Sequence, residues 1–298
     1  MKASQAKAPA AKALKAISGH TRLVAILGWP LTYTLSPAFQ NATLRRHGVD
    51  ACYLALPTGD ARSFRALLKA LMESPNFVGA NVTNPYKIEA ARLCPKLSPE
   101  AKAIGAVNTL VRSPKGAWVG HNTDAFGFSE ALASEGVALK GARVLVLGAG
   151  GAARAAVWAS AQAGARRVLV LARRRAQAQE TALLAGAKGL SGELDPGTAG
   201  LASLGADVTV NALPGEGLGG TYGAALARRA RSRAVAFDLS YTPPRTAFLK
   251  EAALRGWRPV TGLGMLADQG RAAFELWFGV RPERAAVLGA LIRALPAA

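Results

Sequence analysis

The sequence predicts an α/β protein built in two units, and three observations carry that reading. Short apolar runs bounded by glycine or proline, at 23–27, 52–56 and 77–82, alternate with segments of helical period such as 60–71. That βαβ rhythm favours a mostly parallel sheet. After Asp124 the rhythm restarts, with an apolar strand at 143–147 running straight into Gly148-Ala149-Gly150-Gly151-Ala152. At 298 residues, half of them apolar, the chain is long enough to bury two moderate cores.

In chain order, the first strand is ended by Gly28 and Pro30. A helix is expected to follow from Ser36, with Ser36 as N-cap and Pro37 at the first helical position. Residues 107–112 and 117–119 read as a strand pair around the turn Ser113-Pro114-Lys115-Gly116. In the second half, 125–134 and 176–184 read as helices and 167–171 as a strand; 151–162 is a helix apolar on most faces. Residues 208–210 and 234–238 supply later strands, each with a glycine- or proline-containing turn behind it. The helical stretch 265–295 is too long for one more crossover and is expected to return to the first unit. The resulting map has a flexible tail over 1–20, a first unit over 21–123, a second over 124–263, and C-terminal helices over 264–298 packed on the first. No repeat of solenoid length is present.

Composition excludes several classes. No apolar run reaches the roughly 18 residues needed to span a bilayer. Residues 1–20 carry Lys2, Lys7, Lys12 and Lys15 among alanines, without the apolar block and cleavage site of a secretory signal. A frayed tail is the preferred reading over a transit peptide. Cys52 and Cys94 suggest no disulfide framework, and His20, His47 and His121 have no metal spacing, so no metal and a reducing, cytoplasmic compartment are expected. The net charge of +19 raises the question of nucleic acid. Its arginines are dispersed, however, and the densest group (Arg228, Arg229, Arg231 and Arg233) is expected to close a helix, where cations suit the macrodipole. With few aromatics and no recognition motif, the charge favours small anionic ligands instead.

The strand–glycine–helix junction is the most specific local signal. Gly148 allows a tight turn, Gly150 lets backbone approach a phosphate, and Ala153 lets the helix sit close to the strand. Amides at the helix start can then bind a pyrophosphate. A dinucleotide site selective for NAD usually has an acidic residue about 20 positions on. Here the second strand ends Leu171-Ala172-Arg173-Arg174-Arg175, which suits a 2′-phosphate and favours NADP.

Upstream, Asn81-Val82-Thr83-Asn84-Pro85-Tyr86-Lys87 and Gly120-His121-Asn122-Thr123-Asp124 embed a lysine and an aspartate in neutral hydrogen-bonding side chains. Alone, Lys87 would be a surface residue and Asp124 a helix N-cap. Asn81, Thr83 and Asn108 fall near expected strand ends, where open α/β sheets bind ligands, and a buried site with such groups suits a polyol.

Six blocks in one order make the chain resemble the shikimate dehydrogenases. They are Thr34-Leu35-Ser36-Pro37, the Asn81–Lys87 block, Gly105-Ala106-Val107-Asn108-Thr109, Asn122-Thr123-Asp124, the Gly148–Ala152 block and Gly262-Leu263-Gly264-Met265-Leu266. The resemblance runs from about Leu23 to the C-terminus. It implies an N-terminal α/β substrate domain facing a Rossmann-type NADP domain, and reversible reduction of 3-dehydroshikimate to shikimate. By the same resemblance, Lys87 and Asp124 are the catalytic pair. Thr34, Ser36, Thr83, Asn108, Tyr241 and Gln269 contact substrate. Gly148, Ala149, Gly150, Gly151, Ala152, Arg173, Arg174, Asn211 and Gly262 hold the cofactor.

The chain departs from the family pattern at several points. Thr34 replaces the usual serine, Gln40 the histidine before Asn41, and Thr261 the acid before Gly-Leu-Gly-Met. Asn211-Ala212-Leu213-Pro214 keeps half of the usual Asn-Ala-Thr-Ser loop, and Ala172-Arg173-Arg174 stands for Asn-Arg-Thr. These changes leave substrate preference open. A quinate or aminoshikimate dehydrogenase carries the same machinery, and a non-catalytic binding protein on this fold is the alternative from another class. Intact Lys87 and Asp124 count against the latter. A monomer or homodimer is expected.

Overall fold

The computed structural model of the chain describes residues 16–228 and 234–296. In its first sheet, β1 (Arg22–Gly28) lies parallel between β2 (Ala51–Pro57) and β3 (Phe77–Val82). The two-residue β4 (Lys96–Leu97), β5 (Thr109–Arg112) and β6 (Trp118–His121) complete the order β2-β1-β3-β5-β6-β4. The pairings of β1 with β2 and β3 and of β4 with β6 are parallel, as the rhythm predicts; the exceptions are β5 and β6, which the tight turn at 113–116 makes antiparallel, and β5 on β3. The helices of this part are α1 (Ser36–His47), α2 (Ala61–Glu73), α3 (Lys87–Leu93) and α4 (Pro99–Ile104). Ser36 is the first helical residue of α1 and not its N-cap; Leu35 holds that position without a side-chain cap bond.

After α5 (Asp124–Ser134) come β7 (Arg143–Leu147), α6 (Gly151–Gln162), β8 (Arg167–Ala172), α7 (Arg175–Ala182) and β9 (Gly189–Glu193). Then follow α8 (Pro196–Leu204), β10 (Val208–Asn211), α9 (Glu216–Ala225), β11 (Val235–Asp238), α10 (Ala247–Leu254) and β12 (Arg258–Val260). The sheet order β12-β11-β10-β7-β8-β9 is parallel throughout and reverses between β7 and β10. That is the doubly wound, Rossmann-type arrangement, whose ligand crevice lies at the reversal. Helix α9 ends at Ala225, before Arg228. Arg229, Arg231 and Arg233 lie outside the described residues, as do the four lysines of the tail.

The C-terminal stretch is two helices, α11 (Gly262–Phe278) and α12 (Arg284–Ala294), broken by Gly279 in the left-handed region and by Pro282. Helix α11 lies on the first sheet: Gln40 Nε2 donates to Gly270 O, and Trp277 Nε1 donates to Leu110 O at 2.9 Å. Phe274 and Trp277 share a core with Val24, Ile26 and Tyr53. Among the described residues no helix is long and apolar enough to cross a membrane, and no acidic, histidine or cysteine cluster could hold a metal. Cys52 and Cys94 are free thiols.

Trp277 joins α11 to two strands by packing and by one buried hydrogen bond. Trp277→Ala is expected to cost about 3–5 kcal/mol, read as a lower urea midpoint at an unchanged slope.

Candidate active site

A cavity of about 240 Å³ opens where strand ends of the two sheets meet. Lys87 is the first residue of α3, and its Nζ lies 2.6 Å from Asp124 Oδ2. Asp124 is the first residue of α5, where the positive helix end favours a carboxylate. It does not act as an N-cap. Asn122 Oδ1 accepts from the first-turn amide of Ala125, which leaves both Asp124 oxygens to face the cavity groups.

Asn108 is the hub of the polar floor. Its Nδ2 donates to Asp124 Oδ1 at 2.8 Å and to Thr123 Oγ1 at 2.9 Å, while its Oδ1 accepts from Thr123 N. Gln269, carried in by α11, brings Oε1 within 3.4 Å of the same Nδ2. Ser36, Thr83, Tyr241 and Gly262 also line the cavity, so the fold brings together residues separated by more than half the chain. Thr34 is not among the lining residues. Its Oγ1 accepts from Ser36 N at 3.3 Å, so it supports a lining residue.

Tyr53 was missed by sequence reasoning. It sits on β2 as an ordinary core aromatic, yet its hydroxyl donates to Asn81 Oδ1 at 2.8 Å. Burial holds its pKa well above the usual tyrosine value, and burial also raises that of Tyr241. Only the pairing register of β2 with β1, which sets Tyr53 beside Val24, brings it there.

On the other wall, β7 is followed by Gly148 at φ +112°, a conformation that calls for glycine. Ala149 follows, and a Cβ built on Gly150 would meet nothing within 4 Å. Open space beside unpaired amides at the start of α6 fits an approaching phosphate. Gly151 is needed for a different reason: a Cβ there would stand 2.8 Å from Lys87 Cβ, so the glycine makes room for the lysine stem. Ala152 lines the cavity itself.

Arg173 and Arg174 are exposed just past β8, as a 2′-phosphate site requires. One strand-end carboxylate, Glu193, is paired opposite Ala172 on the next strand out. Asn211 is committed internally: its Nδ2 donates to Asp238 Oδ2 and its Oδ1 accepts from Leu213 N. It therefore shapes the loop whose Ala212, Leu213 and Pro214 wall the cavity.

Residues 26–110 match the family model of the shikimate dehydrogenase substrate binding domain, and 262–292 match that of the shikimate 5′-dehydrogenase C-terminal domain. The NADP(+) shikimate dehydrogenase of Geobacter sulfurreducens is 38% identical over 289 residues, covering 93% of this chain and 98% of that one. The chain belongs to the shikimate dehydrogenase family. Shikimate 5-dehydrogenase of Thermus thermophilus, solved with NADP(H) and shikimate, is 36% identical with a TM-score of 0.75, covering 92% of this chain and 100% of that one. The 5-ketofructose reductase of a Gluconobacter strain is 27% identical with a TM-score of 0.72, covering 93% and 99%.

Tyr53→Phe removes the donor to Asn81 Oδ1. One net hydrogen bond corresponds to about a two- to tenfold change in affinity, so shikimate binding followed by calorimetry should weaken by that order. The raised phenol pKa adds stability that is present below the unfolded tyrosine value, near pH 10, and lost as pH rises through the native one. Stability of the phenylalanine variant should therefore fall less steeply above about pH 10.

Proposed function

We propose that this chain catalyses the reversible NADPH-dependent reduction of 3-dehydroshikimate to shikimate in aromatic amino-acid biosynthesis, with Lys87 and Asp124 as the proton-transfer pair. The carrying observation is that this desolvated pair forms the floor of a cavity walled by hydroxyl and amide groups on one side and by the glycine loop on the other. The Gly148–Ala152 loop would hold the pyrophosphate, and Arg173 and Arg174 the 2′-phosphate. Asn211 and Gly262 would frame the nicotinamide end.

The nicotinamide, when bound, supplies hydride to the ketone carbon or accepts it in the reverse direction. As the carbonyl oxygen becomes an alkoxide, Lys87 Nζ donates a proton to it, so that one O–H bond forms as one N–H bond breaks. Asp124 Oδ2 holds the ammonium in place. In oxidation the roles reverse, and the pair accepts that proton. Asn108, Thr83 and Gln269 fit the ring hydroxyls; Ser36, backed by Thr34 and Tyr241, fits the carboxylate.

This reading divides the chain into a substrate domain over 21–123, an NADP domain over 124–263 and C-terminal helices that return to the substrate domain. The reducing cytoplasm is the compartment it implies, and a monomer or homodimer the assembly. The carboxylate end of the pocket, with threonine at position 34, makes quinate the competing substrate. Initial rates with shikimate and quinate, each with NADP and NAD, test the proposal; absence of turnover by shikimate with NADP would refute it.

Lys87→Ala is expected to lower kcat by at least ~10²-fold with a modest change in KM. Near-normal turnover in a folded variant would remove Lys87 from proton transfer.

Arg173→Ala is expected to weaken NADPH by about ten- to a hundredfold, the value of a charge-assisted hydrogen bond, and to leave NADH nearly unchanged. The difference should shrink as salt rises, because an exposed phosphate contact is screened. Equal weakening of both nucleotides would make the arginine run a solvated face only.

A further inference from the structure

Four consecutive contacts run along the segment 104–108. Ile104 O accepts from Arg154 Nε at 2.7 Å, and Ala106 O accepts from Asn122 Nδ2 at 2.9 Å. Val107 N donates to Lys87 O at 2.8 Å, and Asn108 Nδ2 donates to Asp124 Oδ1. One short strap therefore touches both members of the proton-transfer pair, and its first residue is gripped by a side chain from α6 of the second unit.

Arg154 stands in the first turn of α6, the helix whose start faces the phosphate position. Its guanidinium is half-buried and sits at the C-terminal end of α4, where helix carbonyls carry negative charge. Gly105 ends α4 at φ +68°, and a Cβ there would come within 2.8 Å of Arg154 Nη2, so the glycine also clears the arginine's seat. Burial lowers the guanidinium pKa, opposed by Glu180. Nothing in the hydride or proton chemistry uses this contact. The same helix makes a second approach to the pair, through Gly151 against the Lys87 stem.

We infer that Arg154 is a positioning residue that couples the cofactor-binding helix α6 to the strap holding Lys87 and Asp124, so that the oxidised nucleotide and the hydroxylated acid bind cooperatively. This rests on the proposed function for the identity of the two ligands. Binding at the start of α6 fixes the helix; Arg154 transmits that position to Ile104, and Val107 and Asn108 pass it to the lysine backbone and the aspartate. The coupling is reciprocal, as linkage requires.

The test is calorimetric titration of shikimate with and without saturating NADP⁺, together with amide hydrogen exchange of the wild type. Coupling of about 5- to 150-fold is typical between linked sites, and the wild type should fall in that range. R154M should lose at least about two-thirds of that ratio while each ligand alone binds as before. R154K, which can still donate to Ile104 O, should retain most of it. In the wild type, NADP⁺ alone should slow exchange at Val107 and Asn108, a reading that holds even if R154M fails to fold. An unchanged coupling ratio in R154M, or no added protection of those amides by bound NADP⁺, overturns the inference. Absence of wild-type turnover would overturn the proposed function instead, since these readouts measure binding alone.

Discussion

Holding an ammonium and a carboxylate 2.6 Å apart with little water around them costs several kcal/mol of lost hydration. Their attraction offsets that cost only when the remaining lone pairs and protons find partners. Much of the first domain can be understood as supplying those partners. Asn108 satisfies the second Asp124 oxygen and is itself held by Thr123 and Thr109. Asn81, one strand over, reaches the same group through Thr109 and the Asn108 carbonyl. Each of these residues stands at a strand end, so the mixed sheet acts as a frame for one buried pair.

The dinucleotide half is built to a different constraint, the close approach of backbone to ligand. Its glycine loop meets that constraint at Gly150, where the space is open. Gly151 answers to the lysine across the cleft. Two neighbouring glycines of one motif thus serve different ends, and a substitution at each would fail for a different reason. The cavity exists because the crevice of the parallel sheet and the strand ends of the mixed sheet point at each other.

Much of this was legible in the sequence wherever a single local cause fixes the structure. Strand β7 and helix α6 fall where apolar runs meet the glycine loop, and β3 ends where the Asn81–Lys87 block begins. Local signals failed where tertiary contacts decide. Ser36 reads as an N-cap because its own sequence neighbourhood allows one, but it is the first residue of the helix and lines the cavity. Tyr53 itself gave no local sign, being an aromatic residue in an ordinary strand. Strands β4 and β12 are too short to show a period, and the antiparallel pairing of β5 on β3, unlike that of β5 with β6 around its turn, has no local signal.

The arginines illustrate how a large positive charge can be distributed without an anionic macromolecule in view. Arg143 binds Asp207, Arg258 binds Glu135, and Arg271 and Arg284 share the fully buried Asp268. Arg112 and Arg154 donate to backbone carbonyls instead. These are internal uses, in which the guanidinium holds one element against another. Arg173 and Arg174 differ: among the described residues neither has an ion-pair partner, and both project past a strand that ends beside the glycine loop. Under the proposed function, a planar cation left without an internal acceptor at that corner would receive one from the bound nucleotide, since phosphate oxygens match its fork. The field of the whole chain then serves the same end, since both a phosphorylated nucleotide and a carboxylate substrate would be drawn toward a basic surface.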